Sequence, residues 1–248
     1  MNPPRVFVEA DLAAVSQRAA ALIDAAIRDQ PSIVLALPTG ATPIGTYAAL
    51  DELHRRSGTD WSQAVSFNLD EYLGVGPEHP ESYAYFMRQH LFEKVIFSPE
   101  RRHLPDALAP DPATEAARYE ALIDAAGGLD LAVLGVGTNG HLGFNEPGDS
   151  LVAATHVATL SEESWARNFP ALARANVQAL RCQFRRAYTM GIGTILRSRR
   201  ILLLASGVSK RAVLRSAFDG PITTYNPASF LQLHRDVTLV VDAAAWTP

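Results

Sequence analysis

Residues 129–148 read Leu-Asp-Leu-Ala-Val-Leu-Gly-Val-Gly-Thr-Asn-Gly-His-Leu-Gly-Phe-Asn-Glu-Pro-Gly. The mostly apolar run 129–134 predicts a strand buried inside a parallel sheet. Four glycines among the next nine residues allow the backbone to approach a ligand closely and to present its amide groups. His141 and Glu146 lie in the same segment, five residues apart. Glycine-rich backbone after a strand, with an imidazole and a carboxylate, is typical of a small-molecule active site.

A dinucleotide-binding turn is one alternative for this segment, because Gly135, Gly137 and Gly140 have the GxGxxG spacing. That turn requires a helix to begin inside the motif, so that the helix N-terminus faces the pyrophosphate. Gly143 and Pro147 would interrupt such a helix, so the sequence argues against a nicotinamide cofactor. The sequence also lacks HExxH and paired cysteines, and its seven histidines are scattered, so we expect no metal.

The composition of the chain limits the classes of function. The chain has 248 residues, a hydrophobic fraction of 48%, a charged fraction of 19% and a net charge of −4, as is typical of a globular enzyme. It has no basic cluster with interleaved aromatic residues and no apolar stretch of 18 residues, and its first residues lack the basic start and apolar run that are typical of a signal peptide. The single cysteine, Cys182, fits a reducing compartment. We expect a cytoplasmic protein without nucleic-acid or membrane partners, and the sequence leaves open whether it is a monomer or a homo-oligomer.

Short apolar strands alternate with amphipathic helices along the chain. This order predicts an α/β fold in a single domain, residues 1–248, with a mostly parallel sheet and helices on both faces. The predicted strands cover residues 5–9, 32–37, 65–68, 129–134, 186–190, 201–206 and 237–241. The predicted helices cover residues 11–28, 43–56, 83–95, 112–126 and 209–218. The polar segment 161–185 has neither pattern and is a candidate lid.

In such a sheet, ligands bind beyond the carboxyl ends of the strands. The strand 32–37 is followed by Thr39, Gly40, Ala41 and Thr42, directly before a predicted helix. Exposed amides, hydroxyls and a positive helix end suit a phosphate or a carboxylate. An ordinary strand-to-helix turn is the alternative.

The end of the strand 65–68 carries two adjacent acids, Asp70 and Glu71, between aromatic residues. Desolvation in a partly dry site would raise the pKa of one of them and make it an effective general base. A solvated acidic turn is the alternative at this position.

His141 and Lys210 complete the set of candidate site residues. An imidazole titrates near neutral pH, so His141 could move a proton to and from a sugar ring oxygen, with Glu146 orienting it. A structural histidine is the alternative. Lys210 lies in the first turn of a predicted helix, against the helix dipole, which indicates either a bound anion or a solvated surface lysine.

Four motifs occur in a fixed order: Leu-Pro-Thr-Gly-Ala-Thr-Pro at 37–43, Phe-Asn-Leu-Asp-Glu-Tyr at 67–72, His-Pro-Glu-Ser-Tyr at 79–83 and Gly-Thr-Asn-Gly-His-Leu-Gly-Phe-Asn-Glu-Pro at 137–147. With these motifs the chain resembles the glucosamine-6-phosphate deaminases of the glucosamine/galactosamine-6-phosphate isomerase family. The resemblance is strong over 32–150 and fair over 187–241. It implies a modified Rossmann-like fold, and conversion of glucosamine 6-phosphate and water into fructose 6-phosphate and ammonia without an organic cofactor.

The resemblance also implies a role for each matching residue. Asp70 would take the proton from C2 of the sugar and return it at C1. His141 would open the pyranose ring, assisted by Glu146 and Asn139. The remaining matching residues would bind the substrate, mainly its phosphate: Thr39, Gly40, Ala41, Thr42, Glu71, Gly137 and Lys210.

Two positions depart from the family pattern. Asn139 stands where many members have an aspartate, and an amide cannot share a negative charge with His141. The lid arginine that would reach the phosphate has no clean match in the sequence. Arg167 and Arg174 are candidates for it, and we take Arg167 as the expected ligand.

Three other functions stay open. Galactosamine 6-phosphate differs from the glucosamine compound at one hydroxyl. No residue decides between the two substrates, although Tyr72, His79 and Glu81 favour the glucosamine compound slightly. The 6-phosphogluconolactonases share the fold and the Gly-His pair but usually lack Phe-Asn-Glu-Pro, so Glu146 argues against them. A non-enzymatic sugar-phosphate sensor would need a DNA-reading head, and it would not need Asp70, His141 and Glu146 together.

Overall fold

The computed structural model describes residues 3–162, 165–166 and 184–246. Its strands are β1 (Arg5–Glu9), β2 (Val34–Leu37), β3 (Val65–Asn68), β4 (Asp70–Tyr72), β5 (Arg102–His103), β6 (Leu131–Gly135), β7 (His156–Thr159), β8 (Arg186–Thr189), β9 (Arg200–Ala205) and β10 (Val237–Asp242). Its α-helices are α1 (Leu12–Asp29), α2 (Ala41–Ser57), α3 (Tyr83–Met87), α4 (Pro112–Ala125), α5 (Ile192–Leu196), α6 (Arg211–Asp219) and α7 (Ala243–Trp246). A π-helical turn, Arg88–Phe92, follows α3, and 3-10 turns cover Pro99–Arg101, Val208–Lys210 and Pro227–Leu233.

Seven strands of the described chain form one parallel sheet in the order β1-β10-β9-β6-β2-β3-β5. Successive residues of a strand point to opposite faces. On β2, Leu35 packs in the same cluster as Ile23 of α1 and Leu50 of α2, whereas Ala36 packs in the cluster of Tyr119 of α4. Helices therefore cover both faces of the sheet, which confirms the predicted α/β fold.

Local sequence sets the ends of the helices. The Asp11 side chain accepts the Ala14 N–H at 2.9 Å and caps α1, as the sequence indicates. Gly58 ends α2 with φ 65, a left-handed conformation that costs glycine little. The α2 helix begins at Ala41, two residues before the predicted start, because Gly40 with φ 100 takes the N-cap position.

A second, antiparallel sheet in the order β4-β8-β7 was not predicted. The predicted strand 186–190 exists as β8, but it lies in this sheet and pairs with β4 and β7. The β4 strand has only three residues, too few to show the alternation of a strand in sequence, and it pairs with residues 187–189, far along the chain. This small sheet positions Asp70, the first residue of β4.

Two further predictions concern the segments 83–95 and 161–185. The predicted helix 83–95 is the short α3 followed by the π-helical turn, which ends at Phe92. The candidate lid 161–185 lies mostly outside the described residues, as does Cys182. Among the helices of the described ranges, none is long and apolar enough to cross a membrane.

Candidate active site

A pocket opens at the carboxyl edge of the parallel sheet, beside the ends of β2 and β6. The strands β2 and β6 are neighbours in the sheet, and the chain continues from them in opposite directions, from β2 to β3 and from β6 to β9. Ligands of parallel sheets bind where the strand order reverses in this way. The pocket has a volume of about 200 Å³ and is open to solvent on one side, so it can take a small molecule. Eight predicted site residues line it: Thr39, Gly40, Ala41, Thr42, Asp70, Gly137, His141 and Lys210.

Asp70 lines this pocket and yet is only 7% exposed. Burial, and after it the charge of Glu71, raise the pKa of the Asp70 carboxyl to about 8, while a hydrogen bond with the Thr39 side chain acts in the opposite direction. Its Oδ1 atom has no hydrogen-bond partner among the described residues. A desolvated carboxylate of this kind is a stronger base than an exposed one, so Asp70 can take a proton from a substrate.

Close packing around His141 explains the glycine pattern of its loop. The Gly137 N–H donates to the His141 carbonyl at 3.0 Å, and the Gly140 N–H donates to the Gly137 carbonyl at 3.1 Å. A Cβ atom on Gly137 would overlap the imidazole ring of His141. Gly140 has φ 93, and a Cβ atom there would overlap the side chain of Asn226. Neither position has room for a larger residue.

Glu146 and Asn139 hold the imidazole in place. The Nδ1 atom of His141 lies 3.5 Å from Oε1 of Glu146. The Nδ2 atom of Asn139 donates to Oε2 of the same carboxylate at 2.8 Å. The Oδ1 atom of Asn139 accepts the backbone N–H of His141 at 3.2 Å. Asn139 therefore orients both the carboxylate and the His141 backbone, and it does so through hydrogen bonds that a neutral amide can make.

The N-terminus of α2 and the side chain of Lys210 form an anion site in the same pocket. Ala41 and Thr42 are the first residues of α2; no side chain in the described ranges caps its amide groups, and its first turn has no acidic residue. Such uncapped N–H groups attract anions. Lys210 lines the pocket, and its Nζ donates to the Val136 carbonyl at 2.7 Å, which fixes the position of the cation.

Several residues that the sequence analysis did not single out shape this site. Tyr83 and Phe144 line the pocket with rings stacked 6.2 Å apart. The Asp242 carboxylate accepts the Ser206 hydroxyl at 2.5 Å and the Gly207 N–H at 3.0 Å, which orders the segment before Lys210. The sequence contains a signal for Tyr83, since it follows a serine that can cap a helix. It contains no local signal for Asp242, because the partners of this residue, Ser206 and Gly207, are distant along the chain.

Glu71, predicted as a substrate ligand, does not line the pocket. Its carboxylate accepts the backbone N–H groups of Tyr72, Tyr83 and Ala84 at 2.8–2.9 Å. Side chains alternate along a strand, so the first two residues of β4 point to opposite sides. Of these two acids, only Asp70 therefore faces the pocket.

Two other predictions, the lid arginine and the absence of a metal, stay predictions. Arg167, the expected lid ligand of the phosphate, lies outside the described residues, as does Arg174. Within the described ranges, no cluster of three or more His, Cys, Asp or Glu side chains could hold a metal ion.

The fold and the site define an α/β protein with an acid–base pocket beside an anion-binding helix end. Residues 9–240 match the family described as glucosamine-6-phosphate isomerases/6-phosphogluconolactonase. The chain belongs to this family, which confirms the resemblance predicted from the four motifs.

Comparison with individual proteins gives the same result. The chain is 44% identical to a glucosamine-6-phosphate deaminase of Clostridioides difficile (strain 630), over 97% of this chain and 95% of that protein. It is 40% identical to the deaminase of Thermoanaerobacter sp. (strain X514), over 97% and 93%. A solved structure of a monomeric glucosamine-6-phosphate deaminase is 41% identical to this chain and has a TM-score of 0.89. The match covers 97% of this chain and 98% of that one. The 6-phosphogluconolactonase of Trypanosoma cruzi, at 22% identity and a TM-score of 0.76, shares the fold.

Proposed function

We propose that this chain converts glucosamine 6-phosphate and water into fructose 6-phosphate and ammonia. The observation that carries the proposal is one pocket lined by the buried carboxyl group of Asp70, the imidazole of His141 and an anion site that includes Lys210. Moving the carbonyl group of a sugar phosphate from C1 to C2 requires a base for the carbon, an acid–base group for the ring and an anchor for the phosphate. Relatives of this chain at 40–44% identity are named for the same reaction.

Asp70 is the base in this proposal. It removes the proton from C2 of the open-chain sugar and delivers it to C1, while one proton of the amino group passes to the C1 oxygen. The C1 aldehyde thereby becomes an alcohol and C2 becomes an imine. Water then hydrolyses the imine to the ketone and releases ammonia. A pKa of about 8 suits both halves of the transfer, because the carboxylate is basic enough to accept the proton and its acid form persists near neutral pH.

His141 opens the pyranose ring in this proposal. The reaction begins on the open-chain aldehyde, so a proton must be delivered to the ring oxygen while another leaves the C1 hydroxyl. A neutral imidazole can exchange protons at both nitrogens near neutral pH. Glu146, 3.5 Å from Nδ1, stabilises the imidazolium that forms and orients the ring. Glu146 and Asn139 act through His141 and are positioning residues.

The phosphate group anchors the substrate in this proposal. The amides at the start of α2, with Thr42 among its first residues, and the Lys210 ammonium provide hydrogen bonds to a dianion. These contacts are remote from C1 and C2, so they contribute about equally to the ground state and the transition state. Arg167 is proposed as a further ligand of the phosphate.

The proton transfers at C2, at C1 and at the ring oxygen are each assigned to a side chain of the protein, so the scheme uses no organic cofactor for them. We also infer a cytoplasmic location, because a phosphorylated amino sugar is charged at neutral pH and is retained inside the cell. Both inferences depend on the proposed activity.

Three substrates, supplied separately, test the proposed function. Glucosamine 6-phosphate, galactosamine 6-phosphate and 6-phosphogluconolactone are each incubated with the protein, and ammonia, ketose phosphate and acid are measured. We expect ammonia and fructose 6-phosphate in equal amounts from the first. Faster turnover of the galactosamine compound would reassign the substrate to its epimer. Acid release from the lactone without ammonia from either amine would overturn the proposal.

A further inference from the structure

We propose that Glu71 is a positioning residue, whose buried carboxylate joins β4 to the start of α3 and so fixes Asp70 and Tyr83 in the pocket. The inference rests on the proposed function, because that function assigns Asp70 as the base. Glu71 itself does not line the pocket, so it has no direct contact with the substrate.

Three backbone hydrogen bonds carry this inference. The Oε1 atom of Glu71 accepts the Tyr72 N–H at 2.8 Å and the Tyr83 N–H at 2.9 Å. The Oε2 atom accepts the Ala84 N–H at 2.8 Å. One carboxylate thus binds its own strand and the first turn of a helix that lies twelve residues further along the chain. The two segments that it connects contribute Asp70 and Tyr83 to the pocket.

Glu71 shares the capping of α3 with Ser82. The Ser82 hydroxyl accepts the Tyr85 N–H at 3.0 Å, and its carbonyl accepts the Phe86 N–H. Glu71 accepts the N–H groups of Tyr83 and Ala84. Serine alone is a sufficient N-cap for most helices. The additional carboxylate is therefore not needed to begin α3, but it fixes α3 relative to the strand that carries the base.

The charge of Glu71 acts on Asp70 as well. Tyr47, Tyr83 and Tyr119 also lie within electrostatic reach of the Asp70 carboxyl, from α2, α3 and α4. Burial raises the pKa of each tyrosine well above 10, so all three stay neutral. His141 and Lys210 line the same pocket. Burial raises the pKa of Glu71 itself to about 7, so its charge is present mainly above that pH. There this charge raises the pKa of Asp70, and its loss makes Asp70 a weaker base.

The experiment compares E71Q with the wild type in the pH dependence of kcat/KM. Glutamine removes the charge and keeps one acceptor oxygen, so two of the three hydrogen bonds can persist. We expect the acidic limb of the profile to move to lower pH by about one unit, as loss of a neighbouring like charge predicts. We expect kcat to fall about ten- to a hundredfold and KM to change less than about threefold, since only the base is affected.

Three variants separate charge, capping and surface effects. E71D keeps the charge but shortens the reach, so we expect the acidic limb close to that of the wild type with a reduced kcat. S82A removes the other cap of α3, and we expect a lower Tm with an unmoved limb. E81Q removes an exposed charge near the same helix end and should match the wild type. The inference would be overturned if the acidic limb of the S82A profile moved as far as that of E71Q. It would also be overturned if E71Q had the same pH profile and the same kcat as the wild type.

A measurement without substrate separates this inference from the proposed function. The Asp70 carboxyl is titrated by ¹³C NMR in the wild type and in E71Q, with D70N for assignment. We expect a lower pKa of Asp70 in E71Q. If none of the sugar phosphates is turned over, the proposed function fails, and this titration still decides the role of Glu71. If E71Q does not fold, E71D decides, because an unchanged kcat in E71D would overturn the inference.

Discussion

Thr189 lies directly opposite Asp70 on the antiparallel strands β8 and β4. Its hydroxyl also accepts the backbone N–H of Phe144 at 3.0 Å, and its side chain is fully buried. Phe144 follows the loop that carries His141. One short side chain therefore connects the strand of the proposed base to the loop of the proposed ring-opening group, and it holds the two at a fixed separation.

The T189V variant tests this connection. Valine has a similar volume but cannot accept the Phe144 N–H, which would remain buried without a partner. Such a loss costs about 1–3 kcal/mol, and each kcal/mol lowers Tm by about 2–4 °C for a chain of this size. We expect a lower Tm and a kcat reduced about tenfold or more, because small displacements of catalytic groups are costly. T189S keeps the hydroxyl and serves as the control; equal losses in T189S and T189V would refute this role.

The G137A variant tests the packing around His141. A methyl group on residue 137 would overlap the imidazole, so the ring must move away from its present position. We expect kcat to fall about a hundredfold, the loss that a displacement of about 1 Å can cause. G148A lies in the same glycine-rich segment, where an added Cβ meets only an ordinary contact with Ser150, and should retain nearly full activity. Steady-state kinetics measure both variants, and circular dichroism checks that they fold. A kcat of G137A equal to that of the wild type would contradict this role of Gly137.

The sequence predicted most of the parallel sheet because its strands are buried on both faces. Such strands appear as short apolar runs between amphipathic helices, and the bounds of β1 and β3 match the prediction. Of the small antiparallel sheet, only β8 has such a signal. Its β4 strand is three residues long and contains two acids, so its hydrophobic pattern resembles that of a loop. Only pairing with a distant strand makes it a strand.

The candidate site was predicted where local chemistry was distinctive and missed where long-range contacts decide. The residues 39–42 and His141 stand in glycine-containing loops after apolar strands, and all of them line the pocket. Glu71 was expected to bind the substrate because it matches the family motif at 67–72, but it does not line the pocket, since side chains alternate along a strand. Asp242 and Thr189 act through partners more than thirty residues distant, which no local pattern reveals.

The chain contains two lysines, Lys94 and Lys210, which allows a direct test of the phosphate anchor. We expect K210A to raise KM at least about tenfold with little change in kcat, since the contact is equal in ground and transition states. K94A removes an exposed lysine and should leave both constants unchanged. Amine acetylation followed by mass spectrometry should show inorganic phosphate protecting Lys210 and not Lys94. A loss of kcat at constant KM in K210A would contradict the assignment.

The raised pKa of Asp70 also predicts how stability depends on pH. The carboxyl group has a pKa of about 8 in the folded protein and about 3.9 in an unfolded chain. Between these values the folded state holds a proton that the unfolded state has lost, so stability falls as pH rises through this window. Asparagine cannot ionise, so the Tm of D70N should equal that of the wild type near the pKa of the unfolded chain. At a pH above the pKa of the folded protein, the Tm of D70N should be several degrees higher than that of the wild type. A difference in Tm that stays constant across this window would contradict the shift.

The role of Asp70 as the single proton carrier between C2 and C1 is tested most directly by turnover in D₂O. Wild-type protein and D70N are incubated with glucosamine 6-phosphate, and the products are followed by NMR with an assay for ammonia. We predict that the wild type releases ammonia and fructose 6-phosphate in equal amounts, with deuterium confined to one of the two hydrogen positions at C1. D70N should still bind the substrate, with a kcat at least about a thousandfold lower. Turnover by D70N within about tenfold of the wild type, or deuterium at both C1 positions, would contradict this account.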